Sequence, residues 1–277
     1  MRGSPIEEIR ARLYEIARAG DGDVAEGALL IAAEEYPDLD LGRYLGFIDD
    51  AAEAARARVA DGAAPDEVRR ALAQEIFERR RFAGDDGDYY DPRNSYLNDV
   101  IDRRRGIPIT LAIVYLAAGR RLDQPVAGVN APGHFLVRHG ETILDAFHGG
   151  RVVSRDDLVK QLGEMKAADP AAVADQLLAE PPTPGAILTR VLANLKANYL
   201  RRRDLPRALR VVDRLVQMNP DQPQWLRDRG ALYQRLDCPH AAIADLERYC
   251  ELVPDDPEGE VVRAALVQLM RNAPTLQ

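Results

Sequence analysis

Thiols are nearly absent from this 277-residue chain, which has two cysteines, Cys238 and Cys250, both near its C-terminal end. Two cysteines so placed make neither a disulfide framework nor a zinc-ligand spacing, and they fit a reducing compartment. Histidine is scarce too: His134, His139, His148 and His240 are the only four. Imidazole chemistry must therefore come from a short list. No run of about 18 apolar residues occurs, and the opening MRGSPIEEIR has no apolar stretch before its acids. A membrane span and a secretory leader are not expected, and the expected location is the cytoplasm. Positive charge is in deficit, with 37 Lys and Arg against 45 Asp and Glu and a net charge of -8. That balance leaves no basic footprint for nucleic acid or for an anionic membrane. The one basic run, Arg103-Arg104-Arg105, reads as a solvated turn.

What is present is the balance of a folded chain, 46% hydrophobic and 30% charged, at a length that suggests about two domains. The first part has helical periodicity. Ile6, Ile9, Leu13 and Ile16 share one face; Asp23 can cap a second helix with Leu29 and Leu30 inside, ending at Tyr36-Pro37. Asp40 can cap a third over Leu41, Tyr44, Leu45 and Ile48, and Pro65 opens a fourth with Val68, Leu72 and Ile76. Gly84-Asp85-Asp86-Gly87-Asp88 breaks this pattern. Asn94 or Ser95 can cap a short helix to Ile101. Pro108 begins another, whose apolar residues nearly surround it, as in a central buried helix.

After Gln124-Pro125 the period changes to two. Val126 and Gly128 alternate in a strand. His134–Arg138 and Glu141–Asp145 then read as a hairpin around a two-residue loop, His139-Gly140. Ser154 caps a helix carrying Leu158, Leu162 and Met165, and Pro181-Pro182-Thr183-Pro184-Gly185 reads as a linker. Beyond it a shift of 34 residues lays Tyr199 on Tyr233, Ala208 on Ala242, Arg214 on Arg248, Pro220 on Pro254 and Asp221 on Asp255. Thirty-four is the tetratricopeptide period. The expected fold class is α+β: a helical segment at 1–88, a core with a small antiparallel sheet at 89–180, and helical repeats at 185–277.

His139, His148 and His240 read as turn or surface residues. His134 is different. With His139-Gly140 as the loop it faces Asp145 across the hairpin, where a carboxylate can fix the imidazole tautomer and raise its basicity. This is the His-Asp half of a Cys-His-Asp triad, or else a bond that holds a hairpin. In papain-like folds the thiol sits at the N-terminus of a central helix, where the helix dipole lowers its pKa. Here that place holds Ile107, Pro108, Ile109 and Thr110, and Thr110 reads as a helix-start residue bonded to local backbone.

Four strings, Tyr89-Tyr90-Asp91-Pro92-Arg93-Asn94-Ser95-Tyr96-Leu97-Asn98, Arg104-Arg105-Gly106-Ile107-Pro108-Ile109-Thr110-Leu111, Pro132-Gly133-His134-Phe135-Leu136-Val137-Arg138 and Asp145-Ala146-Phe147-His148-Gly149-Gly150, closely resemble the SirB-type family. That family is described as transglutaminase-like and TPR-containing, and is named after a regulator of sirC expression. The resemblance implies a papain/transglutaminase-like core followed by TPR repeats. It maps His134 and Asp145 onto catalytic positions and leaves Pro108 where the family's cysteine relatives carry the thiol. Asn94, Tyr96, Asn98, Pro108, Thr110, Phe135 and His148 become candidate binding residues. No cofactor and no metal is expected. Three readings stay open: a non-catalytic regulatory or interaction protein, with a protein or peptide on the repeats and in the core cleft; a hydrolase or transferase using His134-Asp145 without a thiol; and a structural scaffold.

Overall fold

The computed structural model describes residues 5–254 and 257–272. They divide into two compact units, split between Val191 and Leu192. The first unit opens with α1 (Pro5–Arg18), α2 (Val24–Ala33), α3 (Leu41–Arg56) and α4 (Pro65–Ala73). Asp23 and Asp40 cap α2 and α3: the Asp23 carboxylate accepts from the amides of Ala25 and Glu26, and Asp40 accepts from that of Arg43. α2 is buried at every position except Glu26, more completely than its Leu29–Leu30 face suggests. α4 runs on into a π-helical turn, Gln74–Arg79, which hydrophobic spacing alone reads as ordinary helix. The turn buries Glu75, Ile76 and Phe77 in succession. The Glu75 carboxylate is held there by Arg80 at 2.9 Å and Arg58 at 3.3 Å.

A short parallel pair, β1 (Ala83–Gly84) and β2 (Arg105–Gly106), brackets α5 (Leu97–Arg103) and leads into α6 (Pro108–Arg121). α6 is buried from Pro108 through Gly119, the central helix the sequence calls for. It packs against α2, α3, α4 and α5 and against β3 (Val126–Val129) and β4 (Leu136–His139). The sheet continues with β5 (Thr142–Asp145) and β6 (Arg151–Val153), all antiparallel and in chain order. The short β6, absent from the sequence reading, follows a turn ending at Gly149 and Gly150, both at positive φ. A Cβ on Gly150 would lie 2.4 Å from the Phe77 ring, so only glycine fits there.

The hairpin register differs from expectation. Val137 pairs with Leu144 and His139 with Thr142, so the two-residue loop is Gly140-Glu141 rather than His139-Gly140. The reason is burial. His139 is 3% exposed and bonded inside, so it stays in the strand, and Gly140 takes the positive φ (58°) that the tight loop requires. His134 therefore precedes β4 and is not a cross-strand partner of Asp145.

α7 (Arg155–Glu164), capped by Ser154, and α8 (Pro170–Ala179) cover the outer face of the sheet. Leu158, Leu162 and Ala174 join Val129, Ala131, Leu136, Ile143 and Val153 in one cluster. α9 (Pro184–Arg201) contains the division between the units. Pro182, in the proline-rich run, lies beside Gly128. The second unit adds α10 (Leu205–Met218), α11 (Pro223–Arg235), α12 (Pro239–Leu252) and α13 (Pro257–Asn272). The repeat-equivalent Ala208 and Ala242 are both 0% exposed, as close helix pairing needs. Pro220 and Pro254 both follow helix ends; Asp255 lies outside the described residues.

Leu158 is 0% exposed in the cluster between sheet and helices. Leu158→Ala is expected to lower stability by about 2–5 kcal/mol, read as a shifted urea midpoint of the full chain. An unchanged midpoint would show that the α7 contact holds nothing.

Candidate functional site

Asp145 ends β5, where the chain enters the tight turn to β6. It is 3% exposed. Its Oδ1 accepts from the backbone amides of Phe147 and His148, at 3.1 and 3.2 Å, which fixes the carboxylate against its own turn. Oδ2 accepts from His148 Nδ1 at 2.7 Å. His134 Nε2 lies 3.0 Å from Oδ1. That nitrogen is buried and makes no hydrogen bond, so the ring meets the carboxylate at ion-pair distance but out of line. Arg151 stands 4.0 Å from Oδ2 on a largely exposed side chain. Burial alone would raise the Asp145 pKa; the two imidazoles outweigh it and hold the group at about 2.

The two rings belong to one aromatic patch. Phe147 meets His134 and His148 edge-on, at centroid distances of 6.3 and 5.2 Å, and Tyr89 meets Phe147 at 6.0 Å. Tyr90, 44% exposed, extends the row to solvent against Tyr89. Asp145 also lines an open groove of about 400 Å³ together with Leu136, Arg151, Val153, Lys160 and Glu164.

The loop that carries His134 is held by a residue the sequence reading did not single out. Arg190, on α9, donates to Asn130 Oδ1 at 2.5 Å, to the Ala131 carbonyl at 2.9 Å and to the His134 carbonyl at 3.2 Å. All three acceptors are neutral, and burial lowers the arginine pKa. Sequence spacing gives no sign of it, because Arg190 and His134 are 56 residues apart.

The other candidate residues do not converge on this carboxylate. Thr110 is 0% exposed. Its hydroxyl accepts from the Ile107 amide at 3.2 Å and has the Asn94 and Ile107 carbonyls as acceptors at 2.8 and 3.1 Å, so it serves the start of α6. Asn94 is equally sealed: its amide donates to the Asp88 carbonyl and its oxygen accepts from Arg103. Tyr96 and Asn98 are buried in α5 and its cap, with Tyr96 edge-on to Tyr36 at 5.5 Å. Phe135 lies inside against Gly128, and Pro108 is buried. His148, a turn residue by position and a candidate binding residue by resemblance, is the third member of the cluster; the Asp-x-x-His spacing just ahead of Gly149-Gly150 brings it back to Asp145.

His139 is an interior histidine, not a turn residue. Its Nδ1 is 2.9 Å from the Tyr115 hydroxyl and its Nε2 is 3.3 Å from Gln124 Oε1. Burial, with help from Arg69, lowers its pKa from 6.5 to about 4. Between those values the unfolded chain binds the proton and the folded chain does not. His139 therefore contributes stability that is full above pH 6.5 and is lost as pH falls toward 4. The loss amounts to on the order of 3 kcal/mol. His139→Gln should flatten stability against pH in that window. Parallel curves for the two proteins would contradict a buried neutral ring. For the His134 loop, Arg190→Gln should raise amide hydrogen exchange over 131–135 about tenfold or more while leaving α6 protected. Unchanged exchange there would mean that the loop holds itself.

Comparison with known proteins bears on this geometry. Residues 42–193 match the profile of the transglutaminase-like superfamily, and residues 195–267 match that of the tetratricopeptide repeat. A UPF0162 protein of Xylella fastidiosa (strain Temecula1) is 39% identical over 250 residues, covering 87% of this chain and 88% of the relative. A UPF0162 protein of Pseudomonas aeruginosa is 34% identical over 240 residues, covering 85% and 86%. Protein SirB1 of Salmonella typhimurium is 30% identical over 176 residues, covering 62% and 64%. No solved structure matches. Among the described residues no helix is long and apolar enough to cross a membrane. With its core match spanning more than half the chain and its UPF0162 likeness running through most of both sequences, the chain belongs to the transglutaminase-like superfamily, within the family of the UPF0162 proteins, and carries tetratricopeptide repeats after its core.

Proposed function

We propose that this protein is a binding and regulatory protein in which the transglutaminase-like core has lost acyl-transfer chemistry and the repeats receive a protein or peptide. The observation that carries this reading is the start of α6. A thioester mechanism needs a thiolate at such a helix N-terminus, facing the imidazole. The residue there is Pro108, and the nearest hydroxyl, Thr110, is fully buried and bonded to local backbone. Both cysteines are in the second unit, Cys238 exposed and Cys250 half-buried. The remaining His134, Asp145 and Phe147 then form a wall at which a ligand is held rather than acylated. Stacked repeats offer extended concave binding surfaces, and the tetratricopeptide match over residues 195–267 supports this reading.

A second reading has one observation in its favour, the 3.0 Å approach of His134 to Asp145. That pair can serve as a general base for water without a covalent intermediate. A single assay separates the two. The full chain is incubated with a glutamine peptide and a labelled amine, and in parallel with ester and amide substrates, each against His134→Ala. The expected result is no amine incorporation and no hydrolysis above the variant. Turnover that falls at least a hundredfold in His134→Ala would overturn the binding reading in favour of the hydrolytic or transferase one.

A further inference from the structure

The three side chains at the end of β5 have the composition of a divalent-cation site. His134, Asp145 and His148 each offer one ligand atom, and these atoms all lie within 4.8 Å of one another. Two imidazoles and one carboxylate are a donor set suited to Zn²⁺ and to the late first-row divalent cations, and too rich in nitrogen for Mg²⁺ or Ca²⁺. We infer that the structure assigns this cluster as a metal-binding site, with His134 Nε2, an Asp145 carboxylate oxygen and His148 as its three protein ligands and an open side toward solvent.

Four features carry the assignment. First, His134 Nε2 is buried, 3.0 Å from a carboxylate oxygen, and makes no hydrogen bond. A buried imidazole nitrogen without a hydrogen bond costs free energy. A cation bound by this nitrogen and the carboxylate relieves that cost. Second, the carboxylate is built in place: two backbone amides hold Oδ1. These amides are the outer partners that orient a metal-bound carboxylate. Third, the donors are already near ligating separations. Around a tetrahedral zinc with bonds of about 2.0–2.1 Å, neighbouring donors are about 3.3 Å apart. His134 Nε2 is 3.0 Å from Oδ1 and His148 Nδ1 is 2.7 Å from Oδ2, the two oxygens of one carboxylate, and one ligand atom from each residue lies within 4.8 Å of the others, so small side-chain adjustments bring the set onto a cation. Fourth, access is uneven in the useful direction. The His134 and Asp145 side chains are 13% and 4% exposed, whereas that of His148 is 54% exposed. A cation can enter past His148 and keep its remaining position toward solvent, as binding and catalytic zinc sites do and structural ones do not.

His148 donates Nδ1–H to Asp145. The tautomer with the proton on Nε2 leaves Nδ1 free to ligate, and His134 ligates through Nε2 in the tautomer with its proton on Nδ1. Arg151 is the opposing charge, 4.0 Å from Oδ2. Its side chain is 69% exposed and can swing outward, so it weakens the site without blocking it. The inference rests on the proposed reading only in taking this wall as a place where a ligand is held. Metal binding is read without turnover, so the two can fail separately.

The test uses the full chain with Cys238→Ser and Cys250→Ser, which removes competing thiolates. Zn²⁺ is titrated by calorimetry, and Co²⁺ is followed by its visible absorption. One equivalent of Zn²⁺ is expected, with Co²⁺ bands of a four- or five-coordinate site. His134→Ala, His148→Ala and Asp145→Asn should each weaken binding at least tenfold and abolish the bands. His240→Ala, an exposed histidine in the second unit, should change neither. His148→Ala is the decisive variant, because its exposed ring is not needed for folding; circular dichroism of each variant verifies that. Absence of saturable binding would overturn the site, as would binding that survives His148→Ala in a folded chain or disappears with His240→Ala. The binding reading would remain untouched by any of these. Amine incorporation by the wild-type chain would overturn that reading and leave the metal result intact.

Discussion

The constraint on which the first unit depends is the burial of α6. A helix buried from Pro108 to Gly119 has no solvent face, so other elements must cover it on every side. That requirement explains the long helical segment ahead of the core. α2, α3 and α4 are part of the wrapping around α6, and the sheet closes the remaining side through β3 and β4. Removing solvent from α6 also fixes the polar groups at its ends. Thr110 must satisfy the Ile107 amide, and Asn94 is drawn in as a backbone acceptor. The start of this helix is thus closed by its own hydrogen bonds.

Asp145, at the end of β5, is the common partner of its neighbours. A carboxylate with 3% exposure stays ionised only if its lone pairs are answered. Two backbone amides of the β5–β6 turn and His148 answer them, and His134 Nε2 lies 3.0 Å from Oδ1. The tight turn makes this possible: Gly149 and Gly150 bring β6 back at once, and the absence of a side chain on Gly150 lets Phe77 pack there. Arg190 performs the matching task for the histidine, donating three hydrogen bonds to one loop. The cluster is accordingly buried at Asp145 and solvent-facing at His148.

The second unit follows simpler physics. Successive helices pair through small residues such as Ala208, Gly230 and Ala242, and each pair leaves a face for the next. Within it Arg229 joins two helices by bidentate bonds to Asp245, both at 2.7 Å, and by a third to Asp213 at 2.8 Å.

Much of this was legible in the sequence because local rules governed it. The caps at Asp23, Asp40 and Ser154, the proline at the start of α6, the change of period near Pro125 and the 34-residue repeat each follow from residues close together in the chain. So did the proximity of His134 to Asp145, although through a hairpin register two positions from the observed one. What the sequence alone could not decide were outcomes set by distant partners. Tyr115, from α6, draws His139 inside and so moves the loop to Gly140-Glu141. The π-helical turn buries Glu75 because Arg58 and Arg80 are there to meet it. Arg190 reaches the His134 loop from a helix far along the chain, and His148 turns back onto Asp145 only because the β5–β6 turn is closed. Periodicity reports which face a residue prefers. Which partner waits on that face is set by how the whole unit packs, and here those partners decided the site.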